Sequence, residues 1–313
     1  MEDYPRTVLD FETRFATEEA CRAYLFKLRW PEGFVCPRCG HRKAWPVRNL
    51  FECAQCGTQT SVTAGTIFQD TRKPLRLWFR AIWYVTSQKI GVSAVGLKNV
   101  LGLGSYETAW VWLHKLRRAM VRPGREKLSG VVEVDETFIG AKRAGPHGRG
   151  ALGKAVVLVA AEHDGPRIGR IRLRQVYGFS SETLGGAIAE MVEPGSVIRT
   201  DALRSYNVVK QMGYTHQVVR GEAAEGTDPL PRIHRVVSLL KRWMLGTHQG
   251  AIKPSHLDYY LDEFTFRFNR RTSRSRGKLF YRLVQQAVAV DPLPADRIRG
   301  GTSEPDNDDP EPT

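Results

Sequence analysis

The sequence predicts an α/β protein with a mixed sheet flanked by helices, preceded by a small metal-stapled module and a helical region. Three observations carry this reading. From Gly130 onward, short apolar runs alternate with stretches of helical period. Between residues 34 and 60, four of the five cysteines stand in two Cys-x-x-Cys pairs among glycines and aromatics. Between these regions, from Pro74 to Met120, apolar residues recur at helical spacing.

The elements follow in order. Residues 8 to 29 form a helical lead-in on Phe11, Phe15, Cys21, Tyr24 and Leu25, broken by Pro31-Glu32-Gly33. Leu75, Trp78, Phe79, Ile82, Trp83 and Val85 make one helical stripe, and Ser93 to Val100 makes a second pattern. A third begins at Ser105 and carries Ala109, Trp110, Leu113, Leu116 and Met120. Ser93 and Ser105 stand where N-caps belong. Helix, helix, glycine-containing turn, helix is compatible with a helix-turn-helix. Strands are expected at Val131–Ile139, Ala155–Ala161, Arg170–Val176, Ser196–Thr200 and Thr215–Val219, with helices at Ser181–Met191, 232–245 and 255–270. Three strands, a helix, a strand, a helical segment, a strand and then helices is the order of an RNase H-like fold, one of several α/β topologies with this pattern. The expected division is 1–30 helical lead-in, 31–62 metal-stapled ribbon, 63–125 helical region, 126–290 α/β domain and 291–313 acidic tail. The tail is Pro- and acid-rich from Gly300 and is expected to be disordered.

The 313 residues hold 47 Lys and Arg against 33 Asp and Glu, a net charge of +14. The last ten carry five acids and no base, so the remainder is more basic still. Such a surplus points to a polyanionic partner, nucleic acid first, with a merely solvated basic surface as the alternative. No apolar run nears the roughly 20 residues of a membrane span. The acidic N-terminus lacks the apolar segment of a secretory signal. A cytoplasmic setting is expected, where thiols stay reduced and paired cysteines serve as metal ligands.

Cys36-Pro37-Arg38-Cys39-Gly40 and Cys53-Ala54-Gln55-Cys56-Gly57 form two knuckles, each with a trailing glycine. Four thiolates at Cys36, Cys39, Cys53 and Cys56 suit one tetrahedral Zn2+, structural because every position is filled by protein. Cys21 is isolated and reads as a packed helix residue.

Glu133-Val134-Asp135-Glu136-Thr137 lies in an otherwise apolar strand. Acids there are unfavourable unless paired or metal-bound. Alternation sets Glu133 and Asp135 on one face and Glu136 on the other. Asp201 ends a second apolar strand, Val197 to Thr200. If the two strands are neighbours, Asp135 and Asp201 share one groove and suit a divalent cation for in-line displacement at a phosphodiester. Asp201 is equally readable as a helix cap. A third ligand would come from a later helix, where Arg232 to Trp243 contains no acid and His234 is the one metal-binding residue. Lys241 lies two turns along the same face. By itself a histidine such as His234 is more often an ordinary partly buried residue than a ligand.

Cys36 to Cys56, Ser61 to Phe68, Pro74 to Phe79 and Thr108-Ala109-Trp110 resemble the N-terminal part of zinc-ribbon insertion-sequence transposases. Val134 to Gly140 and Thr200-Asp201 resemble their first two catalytic motifs. Leu239 to Arg242, Gly246-Thr247 and Tyr260 to Arg271 resemble their C-terminal signature. The resemblance spans about residues 20 to 280 and is to insertion-sequence family fifteen-ninety-five, within the DDE transposases of RNase H-like fold. It implies transposon-end cleavage followed by 3′-OH strand transfer, by a cut-and-paste or a copy-type pathway. It implies Asp135 and Asp201 as ligands of catalytic Mg2+ or Mn2+, with His234 where many DDE enzymes carry Glu. Members of this family are similar in accepting Asn or His there. A neutral imidazole favours softer ions such as Mn2+. Lys241 matches the lysine that approaches the transposon end. Two ends handled in one reaction imply at least a dimer on DNA, in the nucleoid.

The helix from Ser105, with His114, Lys115, Arg117 and Arg118, is the candidate for the major groove. Lys142, Arg143 and Arg149 in the glycine-rich loop, and the cluster beginning Arg270 and Arg271, are expected to grip phosphates, against the alternative of a solvated surface. Two other functions stay open: a DNA-binding regulator without catalysis, and a structure-specific nuclease that cuts but does not join. An inactive, domesticated descendant is a further possibility.

Overall fold

A computed structural model describes residues 2–122, 124–140, 154–220, 228–250 and 252–300. The glycine-rich loop with Lys142, Arg143 and Arg149, and residues 301–313 of the expected tail, lie outside the described residues. In chain order the elements are α1 (Val8–Arg14), α2 (Glu18–Arg29), β1 (Ala44–Val47), β2 (Leu50–Cys53), β3 (Gln59–Thr60), α3 (Leu75–Ser87), α4 (Ala94–Leu101) and α5 (Tyr106–Ala119). There follow β4 (Val131–Ile139), β5 (Ala155–Asp164), β6 (Arg167–Val176), α6 (Ser181–Met191), β7 (Val197–Thr200), a 3-10 segment (Arg204–Met212) and β8 (Thr215–Val218). The chain ends with α7 (Pro231–His248), α8 (Leu257–Asn269), α9 (Arg276–Ala287) and α10 (Ala295–Gly300). Among the described residues, no helix is long and apolar enough to cross a membrane.

The chain divides into two compact units. One comprises Met1–Pro123 and Ser273–Gly300. Its ribbon is a three-stranded antiparallel sheet in the order β1-β2-β3. Its helices start on hydroxyl caps: Thr7, Thr17, Ser93 and Ser105 each accept a backbone N–H of the first turn. Helix α3 is the exception. It begins after Pro74 with no cap of its own, and Glu18 of α2 accepts from the N–H groups of Leu75 (2.8 Å) and Arg76 (3.3 Å). Gly102 ends α4 in the left-handed region, at φ 62°, which glycine adopts without strain. Phe280 of α9 is buried among Phe11, Phe15, Phe79 and Trp83, and Trp78 stacks on Trp112 at 3.8 Å. Residues 291–300 open the segment expected to be a disordered tail, yet they end in α10. Ile298 of that helix is buried, and α10 packs on α5.

The other unit, Gly124–Thr272, holds a five-stranded sheet in the order β6-β5-β4-β7-β8. Strands β4, β5 and β6 are antiparallel neighbours, while β7 runs parallel to β4 and β8 parallel to β7. This is the mixed, RNase H-like arrangement that the element order predicts. One face carries Val157, Val159, Ala161, Ile171 and Leu173 against Ile233, Val236 and Leu240 of α7 and Leu261, Phe264 and Phe268 of α8. The other carries Val132, Val134, Leu158 and Ala160 against Leu184, Ile188 and Met191 of α6 and Tyr206 and Val209 of the 3-10 segment. Alternation along β4 therefore distributes its side chains between two helical layers.

The end of α8 is tied to the edge strand β6. Asn269 Oδ1 accepts from the Ile171 N–H (2.8 Å), and its Nδ2 donates to the Ile171 carbonyl (3.1 Å). One amide side chain thus satisfies both backbone groups of a residue with no strand partner on that side. Asn269→Ala is expected to lower stability by about 1–3 kcal/mol, read as a fall in the urea midpoint by far-ultraviolet circular dichroism. An unchanged midpoint would remove this role from Asn269.

Candidate active site

The four cysteines of the ribbon converge. Each knuckle closes by a backbone bond, from the Gly40 N–H to the Cys36 carbonyl and from the Gly57 N–H to the Cys53 carbonyl, both 3.0 Å. Gly40 and Gly57 adopt φ 75° and 67°, where a side chain would be strained. The Sγ atoms of Cys36, Cys39, Cys53 and Cys56 all lie within 4.8 Å of one another, with Cys36–Cys56 and Cys39–Cys53 at 3.6 Å. Tetrahedral Zn–S bonds of about 2.3 Å require this spacing. The Thr58 hydroxyl and backbone N–H bring the Cys56 thiol down to about 6, favouring the thiolate a metal needs. Cys21 is buried on α2, where burial pushes its thiol up to about 12.

The second constellation stands on β4. Its register with β7 pairs Val131 with Val197 and Glu133 with Arg199. Asp135 and Asp201 each lie two residues beyond this last pair, Asp201 just past the end of β7, and the Asp201 carboxylate is near enough to push the Asp135 carboxyl up. Asp201 itself forms a turn, its Oδ1 accepting from the Leu203 N–H at 2.9 Å. Asp135 faces α7, where His234 Nε2 lies 3.7 Å from Asp135 Oδ2. The opposite ring nitrogen, Nδ1, donates to Asp228 Oδ1 at 2.6 Å, and that oxygen also accepts from the Leu230 N–H at 3.0 Å. The Asp228 bond orients the ring so that Nε2 points toward Asp135.

The three acids of β4 have different surroundings. Glu133 is fully buried (0% exposed) and receives four donors. Glu136, on the other face, accepts from the hydroxyl of buried Tyr206 at 2.6 Å. Asp135 receives the Glu136 N–H at 2.9 Å. Burial first, then the carboxylates of Glu136 and Asp201, raise its carboxyl to about 6, against the lowering effects of that N–H and of His234. A cation would relieve this strain. The donors suit one, since 3.7 Å between His234 Nε2 and Asp135 Oδ2 is spanned by two bonds of roughly 2.1 Å. Among the described residues, however, the four cysteines are the one group of three or more such ligands already drawn together.

Lys241 lies on α7 two turns beyond His234. Partial burial, then the neighbouring Lys154 ammonium, lower its pKa. On α5, Lys115 and Arg118 are half-buried, whereas Arg117 is only 2% exposed and lies 3.4 Å from His114 Nε2. Arg117, named above as a candidate DNA contact, is thus an interior residue of α5. Helix α5 is covered by α4, α9 and α10, so more than one of its faces is interior. Arg270 and Arg271 lie over the rings of Phe266 and Phe268, each 4.1 Å from the centroid, and donate to nearby carbonyls, Arg271 to Ile168 and Phe268. The Arg271 guanidinium joins the end of α8 to β6, while that of Arg270 folds back on α8 itself. Sequence reasoning assigned no role to Asp228, Arg232, His163 or Tyr206, and it read Glu133 only as a neighbour of Asp135. The available signal was a third acid in an apolar strand followed, far along the chain, by a helix with no cap residue.

The folded chain holds the Asp135 carboxyl at about 6 against an ordinary 3.8, so folding binds its proton. The stabilisation is complete below pH 3.8 and is lost as pH rises through about 6. It amounts to something on the order of 3 kcal/mol at most. Without divalent cations, Asp135→Asn should flatten the wild-type fall in melting temperature between pH 4 and 6. An identical pH profile in both proteins would contradict this placement of Asp135.

Two family models match separate segments of the chain. Residues 16–59 match the model of the transposase zinc-ribbon domain, and residues 127–269 match that of the ISXO2-like transposase domain. The first match includes all four ribbon cysteines, and the second runs from just before β4 to the last residue of α8. The chain is also similar to an uncharacterized protein in the transposable element ISH50 of Halobacterium salinarum. The two are 26% identical over 288 residues, covering 84% of this chain and 94% of that protein. The two models, both of transposase domains, match in that order and together cover more than half of the chain, which belongs to this family of zinc-ribbon insertion-sequence transposases.

Proposed function

We propose that this transposase cleaves DNA at transposon ends and joins the freed 3′-OH to target DNA at a site made of Asp135, Asp201 and His234. One observation carries the reading. The parallel pairing of β4 with β7 brings Asp135 and Asp201 to the same end of the two strands, where the Asp201 carboxylate raises the Asp135 carboxyl, and α7 brings His234 Nε2 within 3.7 Å of Asp135. Asp135, Asp201 and His234 would hold Mg2+ or Mn2+, which when bound supplies electrostatic stabilisation of the attacking and leaving oxygens. The imidazole inclines the site toward Mn2+.

Hydrolysis of one phosphodiester at the transposon end breaks the P–O3′ bond, leaving a 3′-OH on the element and a 5′-phosphate on the flank. That 3′-OH then attacks a target phosphodiester, with release of a target 3′-OH. The role of Asp228 is to orient the His234 ring with Nε2 toward Asp135. Lys241, about 10 Å farther along α7 at 1.5 Å per residue, would meet a backbone phosphate beside the reacting one. The zinc ribbon of 31–62 and the helices of 63–125 would recognise the ends, and the α/β unit Gly124–Thr272 would perform the chemistry. The protein would act as a dimer or larger assembly on DNA, in the nucleoid.

Asp135→Asn and Asp201→Asn are each expected to abolish cleavage of a labelled transposon-end duplex while gel-shift affinity for that duplex is retained. Full cleavage by either variant would end the assignment. A strand-transfer assay on the wild-type chain separates a transposase from a nuclease, which cuts without joining.

A further inference from the structure

We propose that Glu133 is a positioning residue for the site: its buried carboxylate sets the first turn of α7 against β4 and thereby fixes His234 beside Asp135. The inference rests on the reading of Asp135 and His234 given above. Helix α7 has no cap of its own. Its N-cap position is Leu230, which offers no side-chain acceptor, and Pro231, the first helical residue, has no N–H. The next two N–H groups, of Arg232 and Ile233, both donate to Glu133 Oε2, at 3.0 and 3.1 Å. The first bond within the helix is made by the following residue, from the His234 N–H to the Leu230 carbonyl at 3.1 Å. Every free N–H of the turn before His234 therefore ends on one carboxylate oxygen.

The other oxygen is held equally firmly. Glu133 Oε1 accepts from Arg232 Nη1 at 3.2 Å and from His163 Nε2 at 2.9 Å. Four donors and the positive end of the helix answer a charge that has no access to water. The side chain has one arrangement that satisfies all of them.

Glu133 and Asp135 are two residues apart on the same face of β4, while Ile233 and His234 are consecutive on α7. Two short rigid spacings, one along a strand and one along a helix, are joined at Glu133. A shift of the carboxylate by one methylene length moves the α7 turn, and with it the His234 ring relative to Asp135. Outer groups that orient a metal ligand commonly change metal affinity by roughly 10- to 100-fold when altered.

The test uses the full zinc-loaded chain with two substitutions. Glu133→Asp keeps the charge but is one methylene shorter. Glu133→Gln keeps the length and an acceptor oxygen for the helix. The readouts are Mn2+ affinity by electron paramagnetic resonance, amide hydrogen exchange of Arg232, Ile233 and His234 without Mn2+, end-DNA affinity, and single-turnover end cleavage. Glu133→Asp is expected to weaken Mn2+ binding by roughly 10-fold or more, to speed exchange at the three amides, and to slow cleavage with DNA affinity unchanged. Glu133→Gln should retain more Mn2+ affinity than Glu133→Asp. A folded Glu133→Asp variant with wild-type Mn2+ affinity overturns the proposal, even if its melting temperature falls, because the role is then only structural. Loss of Mn2+ affinity in proportion to melting temperature, with Gln worse than Asp, also overturns it. If the functional reading itself is at fault, the Asp135 and Asp201 variants keep cleaving, whereas the amide exchange near His234 is read without reference to cleavage.

Discussion

The central strand β4 sets three carboxylates, Glu133, Asp135 and Glu136, into an otherwise apolar sheet, and the α/β unit depends on how each is answered. A buried carboxylate without compensation is strongly destabilising. Glu133 is compensated by a guanidinium, an imidazole and a helix start. Glu136 is compensated from the opposite layer by the Tyr206 hydroxyl. Asp135 is left with a backbone N–H, two like charges close by and a histidine at 3.7 Å, and its pKa rises accordingly. The strand thus spends two acids on architecture and leaves the third short of positive charge, as a cation-binding position requires.

The same device recurs in the N-terminal unit. Glu18 of α2 accepts the first free N–H groups of α3, which follows Pro74 without a side-chain cap. Glu133 does so for α7, which begins at Pro231. In both places a Pro-led helix start is completed by a carboxylate distant in sequence, 57 residues away in one case and 99 in the other. Such a bond positions a whole helix, whereas a local Ser or Thr cap only terminates one. The helices with local caps, α4 and α5 among them, need only adjacent residues to define their starts.

This difference explains what could be read from the sequence. Local signals were legible: the Cys-x-x-Cys spacing, the Ser93 and Ser105 caps, the alternation that separates Glu133 and Asp135 from Glu136, and the two-turn spacing of His234 and Lys241. Strands β5 and β6 continue past the expected limits to a hairpin at Asp164–Arg167, because polar Glu162 and His163 conceal the strand period. Glu162 is held there by Arg170 and the Ser129 N–H. Burial of Arg117 was not legible, since α5 also packs on α9 and α10, more than 150 residues later, and so has more than one interior face. Arg270 and Arg271 looked like phosphate ligands from charge alone, while their stacking on Phe266 and Phe268 is a property of the folded helix end. The partners of Glu133 were hidden for the same reason.

The central claim is that Asp135 is the acid whose missing compensation is a divalent cation shared with Asp201 and His234. Anomalous scattering from crystals of the full chain equilibrated with Mn2+ tests it most directly. The account predicts a manganese peak bonded to Asp135 Oδ2 and His234 Nε2 and within reach of Asp201. Ordered side chains at these three residues with manganese bound only elsewhere would contradict it.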